Sequence, residues 1–288
     1  MSLVGERLSE MPQAVLPMER LAIHQVTLMQ CDFRASIECF ARHGVRQTAV
    51  WLDKLNAIGT EDGARILEDN AMSVNALCPG GLVSGAHALD MDAALEMNRR
   101  WLDHAAGIGA ASLVVITGGL PEGETNLFAV RERALEGFHR LIEPARASGV
   151  RLAFEPLHPM VCGGRSVISR VADALDFLDA LNADDVFGLA VDSYAVWWDL
   201  DLAASLRRAG PRLLHFHVSD WLRDTEDVRF DRGMPGDGVI DNRRLRKWME
   251  DAGFRGSVEV EIFSEKNWWR RDPDDVVRTI LDRRAEFL

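Results

Sequence analysis

The chain has 288 residues, 47% hydrophobic and 27% charged, a globular mixture long enough to bury a large core without disulfides. Its formal net charge is −12 with no block of lysine or arginine, which excludes a basic stripe along a nucleic acid, although a small local cluster of arginines could still hold a phosphorylated metabolite. The apolar runs are far short of the roughly 20 residues a membrane helix needs. The opening MSLVGERLSEMPQ has no apolar signal core, and Cys31, Cys39, Cys78 and Cys162 form no CxxC pair, so a cytoplasmic protein with reduced thiols and no membrane partner is expected.

Residues 1–20 read as an N-terminal extension, and the whole of 1–288 as one domain. Leu21–Thr27 (LAIHQVT) is the first predicted strand, and Phe33–His43, stopped by Gly44, the first helix. Gln47–Leu52 follows as a strand and Asp62–Ala71 as a short helix; then come the strand Ser73–Leu77 and the helix Met91–Ala106. Ser112–Thr117 and Glu124–Ser148 form the fourth pair, Arg151–Glu155 and Ser166–Asn182 the fifth, and Val186–Asp192 and Asp201–Ala209 the sixth. Leu213–Val218 precedes the helix Asp241–Ala252, and Ser257–Phe263 precedes Pro273–Phe287. Most of these strands are continuous Val, Ile, Leu and Phe runs, as parallel strands covered on both faces require. Eight βα units in strict alternation predict an α/β fold, a single (β/α)8 TIM barrel. The first strand and helix are joined without a GxGxxG, which speaks against dinucleotide binding.

Barrel enzymes carry their chemistry at the C-terminal ends of the strands. The last four strands all end in polar residues: Glu155 in LAFEPLHP, Asp192 in LAVDSY, His215 and His217 in LHFHVSD, and Glu259 and Glu261 in VEVEIFS. One carboxylate in a buried strand is as readily a satisfied ion pair as a ligand. Four such positions on consecutive strands predict one divalent metal held by Glu155, Asp192, His217 and Glu261. The set of oxygens and one imidazole favours Mn²⁺ or Mg²⁺, with Co²⁺ or Zn²⁺ possible. Glu261 is preferred to Glu259, and His217 to His215, because each lies nearer the C-terminal end. His215, Glu259 and Asp220 are then candidates for groups that orient the ligands from behind; for Asp220 a plain turn or cap is the alternative.

The stretches FEPLHPM (154–160), VDSYAVWWD (191–199), HFHVSDW (215–221), DRGMPGDGVID (231–241) and VEVEIFS (258–264) resemble the xylose-isomerase-like barrels, which include sugar phosphate isomerases and epimerases, inosose isomerases and dehydratases, and an endonuclease branch. The resemblance implies metal ligands at the same four positions. It also implies that Glu155 and Glu261 act as the acid/base pair, shuttling a proton through an enediolate. One position departs from the pattern: the family's Asp-x-x-His after strand six ends here in Ala195. Together with the negative charge, this argues against the endonuclease branch and leaves a substrate contact to be supplied elsewhere.

His158 in EPLHP is the candidate for that contact, a solvated loop histidine being the alternative. Arg232 in DRGMPGDG offers a carboxylate- or phosphate-binding fork, against a plain turn. His24 in strand one and Trp51 in strand two are candidate substrate walls or simply core. Trp197, Trp198, Trp221, Trp268 and Trp269 past the strand ends read equally as sugar-stacking surfaces or as a subunit interface, so a homo-oligomer, dimer or tetramer, is expected. The functional expectation is a metal-dependent isomerase or epimerase of a small sugar or polyol, keto-sugars and sugar phosphates included. The alternatives are a metal-dependent lyase or dehydratase acting on an inosose or 3-keto-sugar by β-elimination, and a non-catalytic sugar-binding barrel.

Overall fold

The computed structural model describes residues 14–86 and 90–288, and across them strand and helix alternate as the apolar rhythm predicts. The strands are β1 (Leu21–Ile23), β2 (Gln47–Trp51), β3 (Ser73–Gly81), β4 (Ser112–Ile116), β5 (Arg151–Phe154), β6 (Phe187–Asp192), β7 (Leu213–Val218) and β8 (Val258–Val260). All are parallel, in the hydrogen-bonded order β1-β8-β7-β6-β5-β4-β3-β2. Each strand lies beside its sequence neighbour, which is the (β/α)8 arrangement expected. At the remaining junction, between β1 and β2, side chains replace the ladder: Thr48 Oγ1 donates to the Ile23 carbonyl (2.7 Å), and Gln25 Oε1 accepts from the Trp51 amide (3.1 Å).

The outer layer includes helices Phe33–Arg42, Thr60–Asp69, Met91–Gly107, Leu127–Ser148, Val171–Leu181, Leu202–Ala209, Asn242–Asp251 and Pro273–Phe287. Their starts are chemically marked. Asp32, Asp90, Asn126, Asp241 and Asp272 each accept a backbone N–H of the first turn, contacts generally worth about 1 kcal/mol apiece. None of these helices is long and apolar enough to cross a membrane. The main core lies between strands and helices; Phe138, for example, meets Phe154 edge-on at 5.1 Å.

Boundaries differ where local chemistry overrides periodicity. The first strand ends at Ile23, because His24 Nδ1 accepts from the Val26 amide (3.0 Å) and starts a 3-10 turn over Gln25–Leu28. The third strand runs on to Gly81. Leu52–Ile58 forms an unexpected helix that stops at Gly59, whose φ of 86° suits glycine. Of the proposed extension, residues 1–13 lie outside the described residues, while Leu16 is buried in the core.

Inside the barrel the strands contribute small side chains, Ala49, Ala76, Ala153 and Ala190, with Val114 among them. That leaves room for large polar groups on the axis. His24, His215, His217, Asp192, Glu259 and Glu261 are all buried, and such groups must be paired or hold an ion.

Candidate metal centre

The strand ends set the positions. Glu155 directly follows β5 and still donates its amide to Val115 (3.0 Å). Asp192 closes β6, His217 is the penultimate residue of β7, and Glu261 lies just past β8 with its amide on Val218 (3.0 Å). Ligand atoms of Glu155, His217 and Glu261 lie within 4.8 Å of one another. His217 Nδ1 is 3.0 Å from Glu155 Oε1 and 4.0 Å from Glu261 Oε2. Burial opposes charge on this imidazole, but the Glu155 hydrogen bond and the fields of Glu261, Glu155 and Glu259 outweigh it and lift its pKa to about 10.

The other edge of the ring faces Glu259, with Nε2 3.5 Å from Oε1. Burial pushes the Glu259 carboxyl up to about 7, against the field of His217, and Asn75 on β3 donates to its second oxygen (3.2 Å). Asn75 was not anticipated; a polar residue inside an otherwise apolar strand was the available signal.

Asp192 is turned away from the triad. Its Oδ2 accepts from Arg232 (2.9 Å) and its Oδ1 from the Tyr194 amide (3.0 Å). The same Arg232 nitrogen reaches Glu261 Oε2 (3.0 Å), and the guanidinium is sandwiched between Tyr194 and Phe263, 4.4 and 4.8 Å from the ring centroids. A short antiparallel ribbon, Asp220–Trp221 against Arg232–Gly233, delivers it there. Burial works against the Arg232 charge, but Asp192 and Glu261 hold the group firmly cationic. For both acids burial raises the pKa and Arg232 is the leading opposing charge.

The donor set fits a divalent cation. Two carboxylates and an imidazole nitrogen converge, and Arg232 and the protonated His217 are the cations that face the acids in the metal-free site. His217 Nε2, Glu259 Oε1 and His24 Nε2 are buried polar atoms without a hydrogen-bond partner. With Nδ1 on an ion, His217 would carry its proton on Nε2, facing Glu259, the carboxylate–histidine–metal pattern.

The remaining predicted residues divide. His24 Nε2 lies 3.5 Å from Glu261 Oε1, and burial followed by the His217 charge keeps this imidazole neutral. Trp51 stands edge-on to His24 (5.8 Å) and Phe263 (5.7 Å). His158 stacks on Trp221 (4.7 Å) and lines the cavity. His215 lies one step deeper, bonded to Ser112 (2.5 Å), with burial lowering its pKa to about 3. Asp220 takes the second of its two readings, that of a turn residue. It does not bond to His217; its carboxylate accepts the amides of Trp221, Gly236 and Ile240 (3.0, 2.9 and 2.8 Å) and so fastens the loop that carries Arg232.

A cavity open to solvent adjoins the cluster, with Glu155, Glu261, Trp51, His158 and Ala195 in its wall. Arg165 and Arg229, which no strand end or motif marks, also line it.

Comparison with known proteins follows the same lines. The family model of the xylose isomerase-like TIM barrel matches residues 35–283. An inosose isomerase from Bacillus licheniformis is 26% identical over 166 residues, covering 55% of this chain and 56% of the relative; the chain spans about half the length of the curated relatives it matches. The crystal structure of a Sinorhizobium meliloti 1021 protein is 41% identical with a TM-score of 0.87, covering 93% of this chain and 98% of that one. The structure of the IolI protein with a zinc atom is 18% identical with a TM-score of 0.77, covering 93% and 99%, a likeness of fold. The strand ends, the barrel order and the match over most of its length agree: the chain belongs to the xylose isomerase-like TIM barrel family.

Proposed function

We propose that the chain is a divalent-metal-dependent isomerase or epimerase of a sugar or polyol. The observation that carries this is the convergence of Glu155, His217 Nδ1 and Glu261 beside an open cavity. The inosose isomerase relative and the zinc-bearing IolI neighbour support it. Glu155, His217 and Glu261 would hold the ion, and Asp192 would join as fourth ligand only on giving up its bond to Arg232; the oxygen-rich set favours Mn²⁺ or Mg²⁺ over Co²⁺ or Zn²⁺. When bound, the ion would polarise a substrate carbonyl and its neighbouring hydroxyl and acidify the C–H between them.

The chain's own residues do the rest. Glu155 and Glu261 reach the cavity from β5 and β8, strands separated by β6 and β7, so one carboxylate can take the proton and the other return it. Arg232 favours the anionic form of Glu261 against its burial, as a base requires. Trp51 and Phe263 supply an apolar wall that keeps water from the migrating proton. One feature favours β-elimination as the second reading: Ala195 leaves an apolar patch where the family carries a histidine, removing a group that would fix one stereochemical outcome. A cytoplasmic homo-oligomer belongs to the same proposal. Leu200 and Trp197 are exposed near the barrel top, and light scattering reads the assembly.

Glu155→Gln and Glu261→Gln are expected to abolish solvent-deuterium exchange into ketohexoses and inososes and to lower bound metal. Full turnover with unchanged metal content in either variant would overturn the reading. Loss of water from an inosose, in place of inversion, would select the lyase.

A further inference from the structure

Two arginines of the cavity wall carry charge without a partner. Arg165, on the loop after β5, and Arg229, on the loop after β7, line the same cavity as Glu155 and Glu261. Neither guanidinium has an ion pair or hydrogen bond among the described residues. This is unusual in a chain with 45 acidic and 33 basic residues. Surface arginines here find carboxylates readily, as Arg146 does with Asp185 and Arg212 with Asp179. Arg232, the third arginine of the cavity, is ion-paired with both Asp192 and Glu261.

Both free guanidinium groups are only partly exposed, Arg229 lying over the Phe230 ring at 4.6 Å. Burial lowers the Arg165 pKa to about 10, and the neighbouring Arg229 charge adds to the effect. Folding alone does not repay half-burying two unpaired cations. An anion between them would, and a guanidinium fork matches carboxylate and phosphate oxygens equally well. Val161 and Val228 stand in the same wall, lowering the local dielectric and strengthening such a pair. The wall of the cavity thus carries both the acids of the cluster and two guanidinium groups without a partner among the described residues.

We infer that the substrate is an anionic polyol, a sugar acid or a sugar phosphate, whose carboxylate or phosphate is held by Arg165 and Arg229 while its hydroxyl end meets the Glu155–His217–Glu261 cluster. The inference rests on the cavity being the substrate site and names the substrate class. It also gives a negatively charged protein a local means of drawing in an anion.

The test uses ligand pairs that differ in charge: D-glucuronate against D-glucose, and D-fructose 6-phosphate against D-fructose. Binding is read by calorimetry on the full chain, metal-free and Mn²⁺-loaded. The anion of one pair is expected to bind at least about tenfold tighter, a difference of about 1.4 kcal/mol. Which pair shows it identifies the group. The Arg165→Gln/Arg229→Gln double variant should lose the preference and keep its metal content, and Arg165→Lys/Arg229→Lys should keep most of the preference. Equal binding within both pairs, including no binding by either member, overturns the inference, as does a preference unchanged in the glutamine double variant. Because binding is read without turnover, an anion preference in a protein that exchanges no substrate proton would overturn the proposed activity and leave this inference standing.

Discussion

Glu259 and His217 are register partners on adjoining strands, and their side chains meet, Oε1 to Nε2, at 3.5 Å. The sheet ladder itself places a carboxylate behind the imidazole. Glu259→Gln keeps the shape and removes the charge. Metal affinity is expected to fall about 10–100-fold, as for other groups that orient a metal-binding histidine. Titration with Mn²⁺ or Zn²⁺ checks it; unchanged affinity would show that Glu259 does not orient the ligand.

Arg232 is the cation shared by Asp192 and Glu261 in the metal-free barrel. Arg232→Met leaves two buried carboxylates short of a cation. The metal-free protein is expected to lose about 3–5 kcal/mol of stability, the usual cost of breaking a buried pair. Added Mn²⁺ should recover part of the loss. Denaturant melts with and without the ion read both effects, and a loss indifferent to metal would count against a shared charge balance.

Asp220 fastens a loop, whereas Glu259 faces the His217 imidazole. Asp220→Ala orphans three backbone amides and is expected to cost about 1–3 kcal/mol of stability. Metal content should be unchanged and substrate affinity weakened, because the loop carries Arg232. Metal loss comparable to that of Glu259→Gln would restore the role expected of Asp220 from its position after His217.

Lys54 is buried and donates to the carbonyls of Gln25 (3.1 Å) and Leu28 (2.7 Å). Burial lowers its pKa from 10.5 to about 8. The folded state then binds fewer protons than the unfolded chain between those values, so this residue's contribution to stability rises with pH across that window. Relative to Lys54→Met, the wild type should gain on the order of 3 kcal/mol between pH 8 and 10.5. Urea melts of both proteins across that range measure the difference; a constant gap would refute the shift.

Much of the barrel was legible in the sequence, because parallel strands covered on both faces are apolar runs and each is followed by a helix with a marked start. The polar strand ends were legible for the same reason: Asp192 is conspicuous at the end of LAVD. Which of these groups share an ion-sized space was not legible. Asp192 and Arg232 are 40 residues apart and meet through a loop whose path no periodicity encodes. Alternation placed Glu259 on the side of Glu261, but its opposition to His217 needed the ladder between β7 and β8. Arg165 and Arg229 were invisible because nothing local distinguishes an unpaired arginine from a paired one.

The junction of β1 and β2 carries a consequence for how this chain can vary. Seven of the barrel's joins are written in backbone, where almost any side chain leaves the hydrogen bonds in place. The eighth is written in residue identity, through Thr48 and Gln25, with Lys54 holding the turn beneath. Closure of the cylinder is thus open to rewriting by point substitution in a way the seven backbone joins are not, and it lies next to Trp51 and His24, beside the site.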